Sequence, residues 1–147
     1  MTAAIESAER AQRLHYDFKY SSHLCSLSAA AGRMSEAIKV CRTIVNDRPD
    51  DSQAAMFLAL IMARDPEHTA ETLDEAIALA EAASAARGDD PQFLEALASV
   101  YEAAGREDAR QRTVERALEI ATARNDQALV DRLQVMIDSS ESESATE

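Results

Sequence analysis

The stretch GRMSEAIKVCRTIVNDRPDD, residues 32–51, has a counterpart later in the chain, GREDARQRTVERALEIATAR, residues 105–124. In both, a glycine precedes a short charged turn, and apolar residues then recur at spacings of three and four, the period of an amphipathic helix. A third copy, DEAIALAEAASAARGDD, covers residues 74–90. The chain therefore contains an internal repeat made of helices, which is typical of stacked repeat architectures. The matching positions are Gly32, Ala37, Ile38, Cys41, Val45 and Pro49; Ala76, Ile77, Ala80 and Ala83; and Gly105, Ala109, Val114, Ala117, Leu118 and Ile120.

The composition favours helices throughout. The 147 residues are 46% hydrophobic but only 4% aromatic, with three glycines and three prolines. Segments rich in Ala and Leu with few helix breakers suit α-helices and suit β-strands badly. Asp90-Pro91 predicts a helix start, because Asp caps free amides and Pro fits the first turn. Thr72 and Glu75 have the spacing of a capping box for another helix.

These paired helices resemble the tetratricopeptide repeat (TPR) family, whose unit is a pair of antiparallel helices of about 34 residues. The resemblance implies an all-α fold, a TPR-like right-handed superhelix of about three repeats with additional N- and C-terminal helices. It implies seven or eight helices in a monomeric unit. The implied boundaries are an N-terminal capping helix in 1–17, repeats at 18–51, 52–90 and 91–124, and a capping helix at 125–137.

The last two units also resemble C-terminal TPR segments of large bacterial proteins. The segments that carry this resemblance are LALIMARDPEHTAETLDEAIALAEAA and DDPQFLEALASVYEAAGRED. The resemblance implies a bacterial protein that is either free-standing or the tail of a larger enzyme. Two departures from the family pattern are the absence of a large aromatic early in each first helix and the presence of Arg110 where a small residue is expected. A generic helical bundle is the alternative fold.

The two ends of the chain differ in character. Residues 3–31 contain no Gly or Pro, so they form either one long helix or a capping helix over 3–15 that breaks near Asp17. Beyond Ile137, the segment DSSESESATE is polar, acidic and low in complexity. Such a segment buries too little apolar surface to fold, so residues 138–147 are predicted to be a disordered acidic tail.

The charge distribution excludes several classes of partner. The formal net charge is -12, and residues 51–147 hold 21 acidic residues against eight Lys and Arg. An acidic surface repels phosphate backbones and anionic lipids, so we expect no nucleic-acid binding. No apolar run approaches the roughly 20 residues of a membrane helix, and the N-terminus has no apolar signal core. We therefore expect no membrane insertion and a cytoplasmic location.

Chemistry-bearing residues are few and have simpler interpretations. Cys25 and Cys41 fall on facing helices, but buried free cysteine is the commoner outcome in a cytosolic chain, so both are predicted to be reduced and poorly reactive. His23 and Cys25 are two residues apart and point to different faces of a helix, so no metal site is expected. No phosphate loop or nucleophile motif is present in the sequence. We expect no cofactor and no enzyme activity.

The function implied by the TPR resemblance is a non-catalytic protein–protein interaction scaffold that binds a partner protein or peptide in a concave groove. The alternative is a structural module that self-associates as a homo-oligomer, or the excised tail of a larger bacterial enzyme. In the family, the first helices of successive repeats line the groove. The groove positions carried over to this chain are Lys19, Ser22, Ser26, Gln53, Met56, Leu60, Arg64, Gln92, Glu95, Ser99 and Glu102.

The run AAMFLALIMA, residues 54–63, has no polar residue and allows two interpretations. In a TPR stack, Ala55, Leu58, Ala59 and Met62 pack inward. Met56, Leu60 and Ala63 then form either a solvent-facing, partner-binding strip or, if a neighbouring segment covers them, part of the core.

Overall fold

The computed structural model describes residues 23–144 of the chain. These residues form seven helices and no strand, which confirms the all-α prediction for this part of the chain. The first helix, α1, is described over residues 23–30. The others are α2 (Met34–Asp47), α3 (Ser52–Arg64), α4 (Ala70–Ala86), α5 (Pro91–Ala103), α6 (Glu107–Ala123) and α7 (Gln127–Ser144).

From α2 onward each helix packs on the next one in the chain, and α3 also packs on α5. Each of five successive helices has one or two completely buried alanines. Because alanine projects only a methyl group, it allows neighbouring helices to approach closely, and larger side chains such as Leu58, Val114 and Leu129 fill the space around it. The core runs continuously from α1 to α7. The completely buried alanines are Ala37, Ala59, Ala76, Ala80, Ala98, Ala117 and Ala121.

Four helices end with the same backbone motif. Gly32, Gly88, Gly105 and Asn125 follow α1, α4, α5 and α6 with φ angles of 77°, 62°, 70° and 58°. In each case the N–H of the next residue donates to a carbonyl five residues earlier, at 2.8, 3.2, 2.9 and 3.0 Å. This arrangement satisfies carbonyls that a helix end leaves free, and glycine adopts the left-handed conformation at no steric cost. The glycines at the start of the two matching repeat segments are thus helix stops.

The helix starts confirm one capping prediction and correct another. α5 begins at Pro91, and the Asp90 carboxylate accepts from the Gln92 N–H at 3.0 Å, as predicted. The predicted capping box at Thr72 is wrong, because α4 begins one turn earlier with Thr69 as its cap. The hydroxyls of Thr69 and Thr72 each accept from the other's backbone N–H, at 3.2 and 2.8 Å. Glu75 instead pairs with Arg42 of α2.

The last helix continues beyond the predicted boundary. α7 ends at Ser144, so residues 138–144 are helical where a disordered tail was predicted, and residues 145–147 lie outside the described part. Contacts made near the end of the core explain the difference. Met136 and Ile137 pack against the core, and the Ser140 hydroxyl donates to Glu107 of α6 at 2.6 Å. These contacts hold the helix in place through residues whose composition alone indicated disorder.

Polar contacts between helices recur at about the length of the sequence repeat. Their partners lie 32 to 37 residues apart. Three of the contacts link α2 to α4, α4 to the residue before α6, and α6 to α7, and the fourth links α5 to α7. The pairs are Arg42–Glu75, Asp74–Arg106, Glu107–Ser140 and Glu95–Arg132.

Ser84 of α4 provides a test of the core. Its side chain is 2% exposed, and its hydroxyl has no hydrogen-bond partner among the described residues. A buried hydroxyl without a partner costs free energy, so Ser84→Ala should leave stability unchanged or raise it by about 1 kcal/mol. Urea denaturation followed by circular dichroism measures this. Ser99→Ala, which removes a hydroxyl that donates to the Glu95 carbonyl at 3.2 Å, is the control and should not gain stability. A loss of stability in Ser84→Ala would contradict the assignment.

Candidate functional site

The exposed side of α3 carries a single stripe of side chains. Gln53, Phe57 and Arg64 are exposed and Leu60 is half-buried, at spacings of four, three and four residues. These spacings place all four on one face of the helix. Phe57 is 37% exposed, which is unusual for an aromatic ring on a helix whose other large apolar residues are mostly buried. Within residues 23–144, the stripe is therefore the part of α3 that is open to another molecule.

The opposite sides of α3 are core, and this corrects part of the predicted strip. Met56 and Ala63 are each 5% exposed and belong to the core, whereas Leu60 is half-buried. The helix packs on α2, α4 and α5, which cover it on most sides. Of the two interpretations of residues 54–63, the structure supports the core for Met56 and Ala63. The predicted inward packing of Leu58, Ala59 and Met62 is confirmed.

A cavity of about 390 Å³ lies beside Phe57, where α1, α2 and the start of α3 meet. Its walls are mainly apolar, and its polar lining residues are Ser26 of α1, the helix cap Asp51 and Gln53 of α3. The Asp51 carboxylate at this edge accepts from the Ala54 N–H at 3.0 Å, which fixes its position as the helix cap. The cavity can therefore accept an apolar side chain beside a fixed negative charge. Its lining includes Cys25, Cys41, Ile44, Asp51, Gln53 and Phe57.

Cys25 and Cys41 form the deep part of this cavity as a disulfide. Their Cα atoms are 5.6 Å apart, within the range of protein disulfides. The two side chains are 1% and 2% exposed. The prediction that both would remain free thiols is therefore wrong in this structure, although the predicted burial and the placement on facing helices are confirmed. The bond connects α1 to α2.

The remaining predicted groove residues fall into different environments. Ser26, Gln53, Arg64, Gln92 and Glu102 are exposed. Lys19 and Ser22 lie outside the described residues.

Two predicted groove residues on α5 are engaged within the chain. The Glu95 carboxylate accepts two hydrogen bonds from Arg132 of α7, at 3.0 and 3.2 Å, and the Ser99 hydroxyl donates to the Glu95 carbonyl. The hydrogen bond to Glu95 raises the pKa of the Arg132 guanidinium. Glu95 therefore ties α5 to α7, and its two oxygens are already occupied.

A second cavity, of about 570 Å³, lies between α6 and the end of α7. The Arg110 side chain on its wall is only 4% exposed and donates to the Met136 carbonyl at 3.2 Å and to Glu107 at 3.3 Å. The hydrogen bond from Ser140, together with Arg110, lowers the pKa of Glu107. Arg110 and Glu107 of α6 pair with each other, and each also forms a hydrogen bond to α7. The polar groups at this cavity therefore connect α6 to α7.

No group of three His, Cys, Asp or Glu side chains among the described residues is placed to hold a metal ion. Burial and a 2.6 Å hydrogen bond to Glu81 raise the pKa of Tyr101 to about 12, so its phenol stays protonated at neutral pH. The site that the structure presents is an apolar cavity with an exposed aromatic ring, which suits binding.

Within residues 23–144, no helix is both long enough and apolar enough to cross a membrane. No protein-family model matches the chain, and no curated protein matches it.

Proposed function

We propose that the chain is a non-catalytic protein–protein interaction scaffold, a TPR-like right-handed stack that binds a partner protein or peptide on the face formed by the first helices of its repeats. Three features support this proposal. The helices pack in chain order, α3 packs on α5, and polar contacts recur at the repeat interval. Stacks of this kind expose long continuous surfaces, which repeat proteins use to bind other proteins.

The observation that carries the proposal is the exposed ring of Phe57 at the cavity between α1, α2 and α3. Aromatic side chains beside a pocket are common anchors of protein interfaces, because they bury much apolar area when a partner covers them. Gln53 and Arg64 flank the ring along the same stripe and supply hydrogen-bond donors for a peptide backbone. An extended or helical segment can therefore lie along α3.

The negative charge of the chain indicates what charge a partner segment should carry. The net charge of -12 and the fixed carboxylate of Asp51 at the cavity favour a segment that combines an apolar side chain with nearby Lys or Arg. Complementary charge speeds association and selects against acidic partners. Such binding should weaken as salt concentration rises, because salt screens exposed charges.

The test is affinity capture from cell extract with the full chain as bait, comparing wild type, Phe57→Ser and Val135→Ser. Val135 of α7 is the matched control, because it is also an exposed apolar residue, at 63%. We expect a partner that is captured by wild type and by Val135→Ser but not by Phe57→Ser. When the affinity of the purified partner is measured, Phe57→Ser should bind it at least about tenfold more weakly than wild type does.

Two results would contradict the proposal. One is a partner that binds Phe57→Ser as well as wild type, which would place the interface elsewhere. The other is concentration-dependent dimerisation in light scattering that Phe57→Ser abolishes, which would make a second copy of the chain the occupant and support the self-association alternative.

A further inference from the structure

The two cysteines of the chain are placed so that they can bond without moving the backbone. Cys25 lies on α1 and Cys41 on α2, and their Cα atoms are 5.6 Å apart, close to the commonest separation in disulfides. The backbone of two neighbouring helices thus holds the pair at bonding distance.

The same surroundings also accommodate the reduced pair. The Cys25 sulfur lies 3.7 Å from the carbonyl oxygen of Ala37, so a Cys25 thiol has an acceptor for its proton. Cysteine otherwise behaves as a small apolar side chain, and both residues belong to the same buried cluster as Ala37 and Ile44. The buried surroundings of the two cysteines therefore suit both the thiols and the disulfide.

The cavity beside Phe57 gives a small molecule a route to the pair. Both cysteines line this cavity, although each side chain is almost fully buried. Attack on a disulfide requires access to the sulfur, so exchange should be slow and should depend on brief opening of α1 from α2. A small molecule can therefore reach the two sulfur atoms, but only slowly.

We propose that Cys25 and Cys41 form a thiol–disulfide exchange site whose co-reactant is a low-molecular-weight disulfide, and that oxidation fastens α1 to α2. The thiolate of one cysteine attacks the small disulfide, forms a mixed disulfide and releases one small thiol. The thiolate of the second cysteine then attacks the protein sulfur of the mixed disulfide and releases the second small thiol. The two protein thiols are oxidised, the small disulfide is reduced to two thiols, and the cysteine protons end on those products.

Fastening α1 to α2 should have a local consequence. The bond closes a loop between residues 16 positions apart, which removes conformations from the unfolded state. For a loop and a chain of this size, the thermal midpoint should rise by about 10 °C on oxidation. Because repeat stacks open in parts, backbone hydrogen exchange should slow most in α1 and α2 and least in α6 and α7.

The experiment uses the full chain, reduced with dithiothreitol, freed of reductant and titrated with oxidised glutathione. The thiols of the unfolded protein are counted at each ratio, and intact mass distinguishes an internal disulfide from an adduct. The expected result is loss of both thiols without added mass, a higher thermal midpoint and slower exchange in α1 and α2. The variant with Cys25→Ala and Cys41→Ala should respond to neither reagent.

Three results would overturn the proposal. These are two thiols that persist at every ratio, a stable glutathione adduct or covalent dimer in place of the internal bond, and an internal bond that changes neither the midpoint nor the exchange of α1 and α2. Wild type in its two oxidation states supplies the main comparison, so the test does not depend on the variant folding. The proposal is independent of partner binding, and Val135→Ser, whose residue does not line the cavity, should exchange as wild type does.

Discussion

Replacing Met56 and Leu60 together with serine should lower the free energy of unfolding by several kcal/mol. Met56 is 5% exposed, Leu60 is half-buried, and both pack in the core around α3. Truncating a large buried side chain costs on the order of 2–5 kcal/mol, and Leu60, being half-buried, should contribute near the low end. Met56→Ser also places a hydroxyl where apolar groups surround it. Urea denaturation followed by far-UV circular dichroism measures the loss.

Val135→Ser is the matched control for this prediction, because it also replaces an apolar residue with serine, at a helical position that is 63% exposed. A substitution at an exposed position usually changes stability by no more than about 0.5 kcal/mol, so this variant should remain close to wild type. A double variant as stable as Val135→Ser would show that Met56 and Leu60 are not core. Hydrogen exchange should locate the loss in α2 to α5, the helices that pack on α3.

The exposure of Phe57 could not be predicted from the sequence of α3. The helix is capped by Asp51 at its start and is followed by Asp65 and Pro66 at its end. Between them, residues 54–63 contain no polar side chain, so nothing in the run itself shows which side faces solvent. Met56 and Phe57 are neighbours and both fit a stripe that joins Gln53 to Arg64. Contacts with α2, α4 and α5 decide between them, and those contacts are tertiary.

The glycines and the capping residues were more informative, because their roles are local. Gly32 and Gly105 stop helices through a backbone conformation that few other residues adopt readily, and Asp90 with Pro91 starts α5 through contacts within one turn. The redox state of the cysteines and the length of α7 depend on partners distant in sequence. Burial in a cytosolic chain predicted reduced thiols, and composition predicted a disordered tail. The structure instead has a bond between Cys25 of α1 and Cys41 of α2, and a contact between Ser140 of α7 and Glu107 of α6.

Arg110 is the contact that most directly explains the length of α7. The TPR resemblance predicts a small residue at this position, yet the Arg110 side chain is 4% exposed and reaches the Met136 carbonyl. A buried guanidinium needs acceptors, and here a backbone carbonyl of α7 and the Glu107 carboxylate supply them. The aliphatic part of the side chain packs between the helices at the same time. Arg110 thus links α6 to α7 through both hydrogen bonds and packing.

Arg110→Ala should therefore lower the free energy of unfolding by about 2–3 kcal/mol, since it removes a charged hydrogen-bond donor and the packing of its buried stem. The loss should be concentrated in α7, and backbone hydrogen exchange should quicken after Met136, where the helix depends on this contact. Arg116→Ala is the control on the same helix. Arg116 also pairs with an acid three residues away, Glu119, but both are exposed, so its removal should cost no more than about 0.5 kcal/mol.

Arg110→Lys separates charge from geometry. A lysine keeps the positive charge but loses the planar fork that contacts the carbonyl and the carboxylate together, so it should recover only part of the lost stability. Full recovery would mean that charge alone holds α7. An Arg110→Ala protein whose exchange in α7 matches that of wild type would show that the end of the helix is held by Met136, Ile137 and Ser140 without the arginine. We expect Arg110→Lys to recover part of the free energy of unfolding that Arg110→Ala loses, and Arg116→Ala to remain close to wild type.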